Sequence, residues 1–134
     1  MSPLDGPAQP RPKATQLARG QRRYRRKVAS PKQWQAIIAA KQGPCRCCSD
    51  PGGNGFSRAV ITFHHIVTRQ DGGDDVADNL VPLCLIHHTY VTERRGGYEY
   101  RLLASLSDAE YAYMIDRGGE DYPERAYGIR YTRP

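Results

Sequence analysis

Cys45-Arg46-Cys47-Cys48, then His64-His65-Ile66, then Asn79-Leu80-Val81-Pro82-Leu83-Cys84-Leu85-Ile86-His87-His88: the reading of these three runs decides the fold. They hold all four cysteines and all four histidines, so every soft or borderline metal ligand of the 134-residue chain lies within 44 residues. Such a gathering is a metal site, and its order implies two ions, one structural and one catalytic.

Cys45 and Cys48 have the Cys-x-x-Cys spacing at which a tight knuckle turns two thiolates toward one zinc. If a helix starts near Cys84, residues three apart share a face, so Cys84 and His87 meet the same ion. The expected site is a closed, structural Cys3His set for Zn2+: Cys45, Cys48, Cys84 and His87. Cys47 is spare, a packed thiol or an oxidation hazard. His88 is turned by about 100 degrees from His87 on that helix, which frees it for a second ion. Taken alone, His88 would be an ordinary exposed helix residue. Disulfides are the other use of four cysteines, and the histidines between Cys48 and Cys84 favour ligation.

Working outward, Gly52-Gly53-Asn54-Gly55 reads as a turn, since no strand and helix frame it as a phosphate-binding loop. Arg58 to Phe63 has the β-branched and aromatic content of a strand that delivers His64 and His65 at its end, and Leu80 to Leu83 forms a second strand. Neighbours on a regular strand face opposite ways, so the strand must end or twist at these histidines if both serve one site. Between the strands, Asp71, Asp74, Asp75 and Asp78 sit in a Gly-rich polar loop and read mostly as solvated surface, with Asp71 or Asp75 a minor candidate ligand.

Upstream, Ser30-Pro31-Lys32-Gln33 supplies an N-cap, a proline at the first helical position and a capping-box glutamine. A helix follows, carrying Trp34, Ile37, Ile38 and Lys41 and stopped by Gly43-Pro44; Trp34 is assigned to the core. Downstream, Gly96-Gly97 is a stop, Tyr98 to Leu103 reads as a strand, and Ser107-Asp108-Ala109-Glu110 starts a helix that ends near Gly118-Gly119. Tyr122, Tyr127 and Tyr131 stand among arginines, a pattern more often of packing or a subunit contact than of base stacking. The fold class is α+β: a small zinc-stapled core at about 58–96 within one domain over 30–134, with a flanking N-terminal helix and C-terminal strand and helix additions.

The net charge of +6 is uneven. Residues 1–30 hold eight Lys/Arg against one acid, whereas the rest is close to neutral. The dense part, Arg22, Arg23, Arg25, Arg26 and Lys27, suits an arm that tracks a phosphate backbone; the plainer reading of residues 1–29 is a disordered, solvating tail. Apolar residues make up 39% of the chain and no run is long enough to cross a bilayer. Met1 to Pro10 lacks the apolar run of a secretory leader, and a cytoplasmic protein is the expectation.

Together the three runs resemble the HNH endonucleases of the ββα-metal (His-Me finger) group, particularly the small single-domain bacterial and phage members. The resemblance spans Cys45 to His88. It implies a DNA phosphodiester hydrolase in which His65 is the general base, His64 and His88 bind one catalytic divalent ion, Asn79 pins the loop between the strands, and Cys45, Cys48, Cys84 and His87 hold zinc. Many members have an acidic residue in place of His64 and a cysteine in place of His87. Imidazole for carboxylate moves the ion preference from Mg2+ toward Mn2+, Co2+ or Ni2+. One such site nicks one strand per engagement, leaving by resemblance a 5′-phosphate and a 3′-hydroxyl. The arm, Arg69, Arg94 and Arg95 would grip phosphate, and Arg94 and Arg95 also suit a helix C-terminus. With no evident base-reading element, sequence preference should be weak and a targeting or packaging protein partner is expected; a monomer and a dimer are both compatible. The alternatives are a non-catalytic zinc-stabilised DNA-binding module, a structural zinc protein that docks to a partner, and a nuclease resolving branched DNA.

Overall fold

The computed structural model describes residues 25–48 and 60–133. Arg22, Arg23, the Gly52–Gly55 turn and the start of the expected strand at Arg58 lie outside these. Helix α1 (Pro31–Lys41) is capped as its sequence dictates: Ser30 Oγ accepts the Gln33 N–H and the Gln33 side chain accepts the Ser30 N–H. Strands β1 (Ile61–His65) and β2 (Leu80–Cys84) pair antiparallel, with His65 opposite Leu80 and Ile61 opposite Cys84. The strand does end at the histidines, His65 being its last residue. Helix α2 (Leu85–Thr92) begins directly after β2, with Cys84 as N-cap. The order β1, loop, β2, α2 is a ββα unit, and with its flanking helices it gives an α+β fold.

Three C-terminal helices follow: α3 (Tyr98–Ala104), α4 (Asp108–Gly118) and α5 (Tyr122–Tyr127). The strand expected at Tyr98 to Leu103 is therefore a helix. Read as a strand, the segment alternates; in the structure Glu99, Leu102 and Leu103 are the buried positions, a helical i, i+3, i+4 set. Gly96 and Gly97, both at positive φ, turn the chain out of α2 and into α3. The helix from the Ser107 capping box runs to Gly118 as its sequence indicates. Arg94 and Arg95, expected late in α2, fall past its end, and Arg94 itself takes a left-handed φ of 56°.

The core comprises Ile66, Val67, Val81, Leu83, Leu102, Leu103 and Met114, together with the buried cysteines. Trp34 is not part of it. Helix α1 buries no residue fully, and Trp34 lies half-buried with its ring 5.9 Å from that of His65 and nearly parallel to it. The C-terminal end of α1 is tied by an ionic joint: Glu110 receives Lys41 Nζ on one oxygen and both Arg46 Nη atoms, at 2.9 and 3.0 Å. The carboxylate side chain is 2% exposed, and although burial pushes it up, Arg46, Lys41 and the Ser107 N–H hold it at about 2. Its stabilisation is present above the ordinary value of 4.5 and is lost as pH falls toward 2. Glu110→Ala strands two cations at this joint and is expected to cost about 3 kcal/mol in urea unfolding, the scale of a broken buried pair. No described helix is long and apolar enough to cross a membrane.

Candidate metal and catalytic site

The four expected zinc ligands converge. Cys45, Cys48, Cys84 and His87 are all buried, with their ligand atoms within 4.8 Å of one another. His87 Nδ1 lies 3.4 Å from the sulfur of Cys45 and 3.5 Å from those of Cys48 and Cys84. A tetrahedral ion with Zn–S of about 2.3 Å and Zn–N of about 2.0 Å requires N···S edges of about 3.5 Å, so the spacing fits. Local backbone explains the geometry. Arg46 N–H donates to Pro82 O at 3.0 Å, tying the knuckle to β2. At the start of α2 the Cys84 sulfur accepts the His87 N–H at 3.4 Å, and the Cys45 sulfur accepts the Cys47 N–H at the same distance. Tyr98 closes the site, its ring 4.4 Å from that of His87.

Burial, aided by neighbouring sulfurs, pushes the Cys48 thiol up to about 12 and raises Cys84 as well. Such thiols ionise only with a cation between them, which is the electrostatic case for a metal such as zinc here. Cys47 stays outside the set: its sulfur points at Tyr98 O, 3.8 Å away, and burial pushes it up to about 12. It is the packed thiol of the two readings.

A second group gathers His64 of β1 and His88 of α2, and there hydroxyls of one hydrogen each fix the histidine tautomers. Tyr127 OH donates to Ile66 O at 2.6 Å, so at 2.8 Å it accepts from His64 Nε2–H, leaving the lone pair on Nδ1. Thr62 Oγ1 donates to Leu83 O at 2.9 Å and therefore accepts from His88 Nδ1–H at 2.7 Å, leaving the lone pair on Nε2. The His64 and His88 rings stand edge to face with centroids 5.2 Å apart. Two imidazoles sharing one ion at about 2.0–2.1 Å have centroids about 4.5–5.2 Å apart, so this pair fits a common cation. Burial holds His64 down at about 3 and lowers His88, keeping both neutral, as ligands must be. Among the described residues no third His, Cys, Asp or Glu joins them in a cluster.

His65 makes its contacts with α1 and the loop, yet stays close enough to His64 and His88 for its charge to lower both. Its Nε2–H donates to Asp75 Oδ1 at 2.9 Å, so Nδ1 carries the lone pair. Burial lowers its pKa below 6.5, partly offset by Asp75. Asp75 is not solvated: it is 6% exposed and accepts from Ala29 N–H at 3.0 Å, Arg26 Nη2 at 2.6 Å and Arg69 Nε at 3.3 Å. Burial alone pushes this carboxyl up, but the Ala29 N–H, His65 and the two arginines hold it below the usual carboxylate range. Asp74 is buried too, bonded to Lys27 N–H and the Tyr113 hydroxyl. Residues 26–29 therefore run along the loop at 73–75.

Asn79 is fully buried and stitches this loop: its Oδ1 accepts Val67 N–H at 2.8 Å, and its Nδ2 donates to Val67 O and Asp74 O at 3.0 Å. The fit leaves room only for glycine at 73, where a Cβ would lie 1.8 Å from Val67 O.

Of the expected DNA-contacting residues, Arg26 is committed to Asp75 and Gly73 O, and Arg94 to the carbonyls of Arg125 and Ala126. Arg95 lies over the Tyr90 ring and pairs with Glu93, and Arg69 lies over Trp34. Arg25 and Lys27 are exposed. Arg26, Trp34, Arg69 and Asp75 line a cleft of about 440 Å³ on the His65 side. Sequence reasoning missed Asp75 as the partner of His65, and Tyr127 as the partner of His64. Neither contact has a local signature, the second spanning 63 residues.

Residues 45–94 match the family model described as HNH endonuclease, which takes in both histidine groups and the whole cysteine set. No curated protein and no solved structure matches the chain.

Proposed function

We propose, from the match of residues 45–94 to the HNH endonuclease family model, that the chain is a DNA-nicking hydrolase in which His65 activates water beside a divalent ion held by His64 and His88. The observation that carries this reading is the division of labour among three neutral imidazoles. Two have hydroxyl-fixed tautomers and an ion-sharing separation, while the third is oriented by a carboxylate.

Hydrolysis of a phosphodiester needs a base that is unprotonated near neutral pH, which a depressed histidine provides. His65 Nδ1 takes the proton from water, and Asp75 stabilises the imidazolium that results, as its hydrogen bond to Nε2–H strengthens. His64 and His88 would hold a divalent ion, which would supply Lewis-acid stabilisation of the charge that builds in phosphodiester hydrolysis. Asn79 keeps β1 and the loop in register, and Cys45, Cys48, Cys84 and His87 hold Zn2+ as the staple. Mn2+, Co2+ or Ni2+ suits two imidazoles better than Mg2+. Among the expected phosphate contacts, Arg25 and Lys27 are exposed and are the ones this reading assigns to phosphate; Arg26 and Arg69 serve Asp75, Arg95 pairs with Glu93, and Arg94 serves carbonyls. Phosphate contacts of this kind give little sequence preference, so a targeting partner is part of the reading.

Supercoiled plasmid tests it: with Mn2+ or Ni2+, relaxed circles should accumulate before linear molecules, and chelator should stop the reaction. Binding without turnover under every ion would favour the zinc-stabilised binding module. Asp75→Asn keeps the side chain's shape but weakens its hold on His65. A drop of about 10–100-fold in single-turnover rate is expected. Because Asp75 raises the His65 pKa, the acid limb of the pH–rate profile should also move to lower pH. A rate loss with the limb unmoved would assign Asp75 a merely structural part.

A further inference from the structure

We propose that Tyr127, which lies beyond the matched span 45–94, is a positioning residue of the exchangeable-ion site, setting the tautomer of His64 so that Nδ1 carries the lone pair a cation would take. This rests on the ion-binding reading of His64 and His88. Tyr127 is 5% exposed and its hydroxyl joins His64 Nε2 to the carbonyl of Ile66, two residues further along. The carbonyl can only accept, so the phenol's hydrogen is spent on it and His64 must donate. With that acceptor in place, the proton belongs on Nε2. The ring also packs edge-on against His64, centroids 6.0 Å apart.

The tyrosine is held firmly enough for this task. Arg94, just past α2, donates to Ala126 O at 2.7 Å, clamping the end of α5 to the end of the helix that carries His88. Gly128 closes α5 at a left-handed φ of 77° that favours glycine, and a Cβ there would lie 2.8 Å from Arg94 Nη1, so the guanidinium would have to shift. The C-terminal helices thus reach back to complete the ion site.

Tyr127→Phe retains the ring and removes only the acceptor. His64 then has no partner for Nε2–H, and the tautomer with the proton on the ligand atom becomes accessible. Calorimetric titration of the zinc-loaded protein with Ni2+ should show a Kd for the second ion raised about 10–100-fold. Cleavage should recover to the wild-type kcat at saturating ion. The imidazole 15N spectrum of ion-free, zinc-loaded wild type should show His64 with an unprotonated Nδ1, and the variant should show both tautomers. Unchanged Ni2+ affinity in the variant, or a wild-type His64 protonated on Nδ1, overturns the proposal while leaving the nuclease reading intact. Wild type that takes up no second ion overturns both.

Discussion

Replacement of Cys84 by serine is expected to leave a chain that retains no stoichiometric zinc and melts without a cooperative transition. Cys84 carries three duties at once: it ends β2, caps α2 through the His87 N–H, and supplies one sulfur of the quartet. The quartet joins the knuckle at Cys45–Cys48 to the strand and helix of the ββα unit, elements that otherwise share a modest core. A structural zinc contributes about 10–16 kcal/mol of apparent binding free energy at neutral pH. The whole stability of a domain is about 5–15 kcal/mol. Loss of one ligand therefore removes a share as large as the total. Burial already pushes the Cys48 thiol up to about 12 and raises Cys84, so without the ion these groups revert to thiols and contribute little. Circular dichroism melts with metal analysis check this. Cys47→Ser is the internal control, since Cys47 faces Tyr98 O instead of the quartet; it should keep one zinc per chain. Zinc retained by Cys84→Ser but lost by Cys47→Ser would reverse the assignment.

The second large effect is expected at His65. His65→Ala should lower single-turnover nicking about 100- to 10,000-fold, the usual contribution of a positioned general base. Ion affinity should scarcely change, because the proposed ligands are His64 and His88. The mutation also releases Asp75, but Arg26, Arg69 and the Ala29 N–H still satisfy that carboxylate, so the loop should hold. The two histidines are neighbours in sequence and diverge in role because they find different partners at the end of β1, His64 meeting Tyr127 and His88, and His65 meeting Asp75 and Trp34. Losing the base and losing the ion are thus separable, His88→Ala being expected to weaken ion binding while sparing the His65–Asp75 pair.

What the sequence made legible is what local geometry dictates. Cys-x-x-Cys and Cys-x-x-His each fix two ligands within one turn, and the Ser30 and Ser107 capping boxes fix two helix starts; all four features stand in the structure. Asp74 and Asp75 looked solvated because their partners, Lys27, Arg26 and Ala29, come from a basic segment 46 to 49 residues upstream that has no apolar periodicity to mark it as docked. Trp34 looked like core because it shares a helix stripe with Ile37 and Ile38, yet the helix lies over the loop and His65, and its indole covers an imidazole and an arginine instead. Tyr98 to Leu103 alternates well enough to pass for a strand, but in the structure β1 pairs with β2 and the segment winds so that Leu102 and Leu103 reach the core. The C-terminal tyrosines carry the same lesson. Tyr113, Tyr122 and Tyr127 each place a hydroxyl on the loop region between Ile66 and Asp74, contacts that no spacing rule anticipates.

The most direct test of the account is single-turnover nicking of supercoiled DNA by zinc-loaded wild type and His65→Ala, each at a Ni2+ or Mn2+ concentration shown by titration to fill the second site. The account predicts one strand cut by wild type and at least a hundredfold slower cutting by the variant at equal ion occupancy. Equal rates at equal occupancy would contradict it, because the water would then be activated by something other than His65.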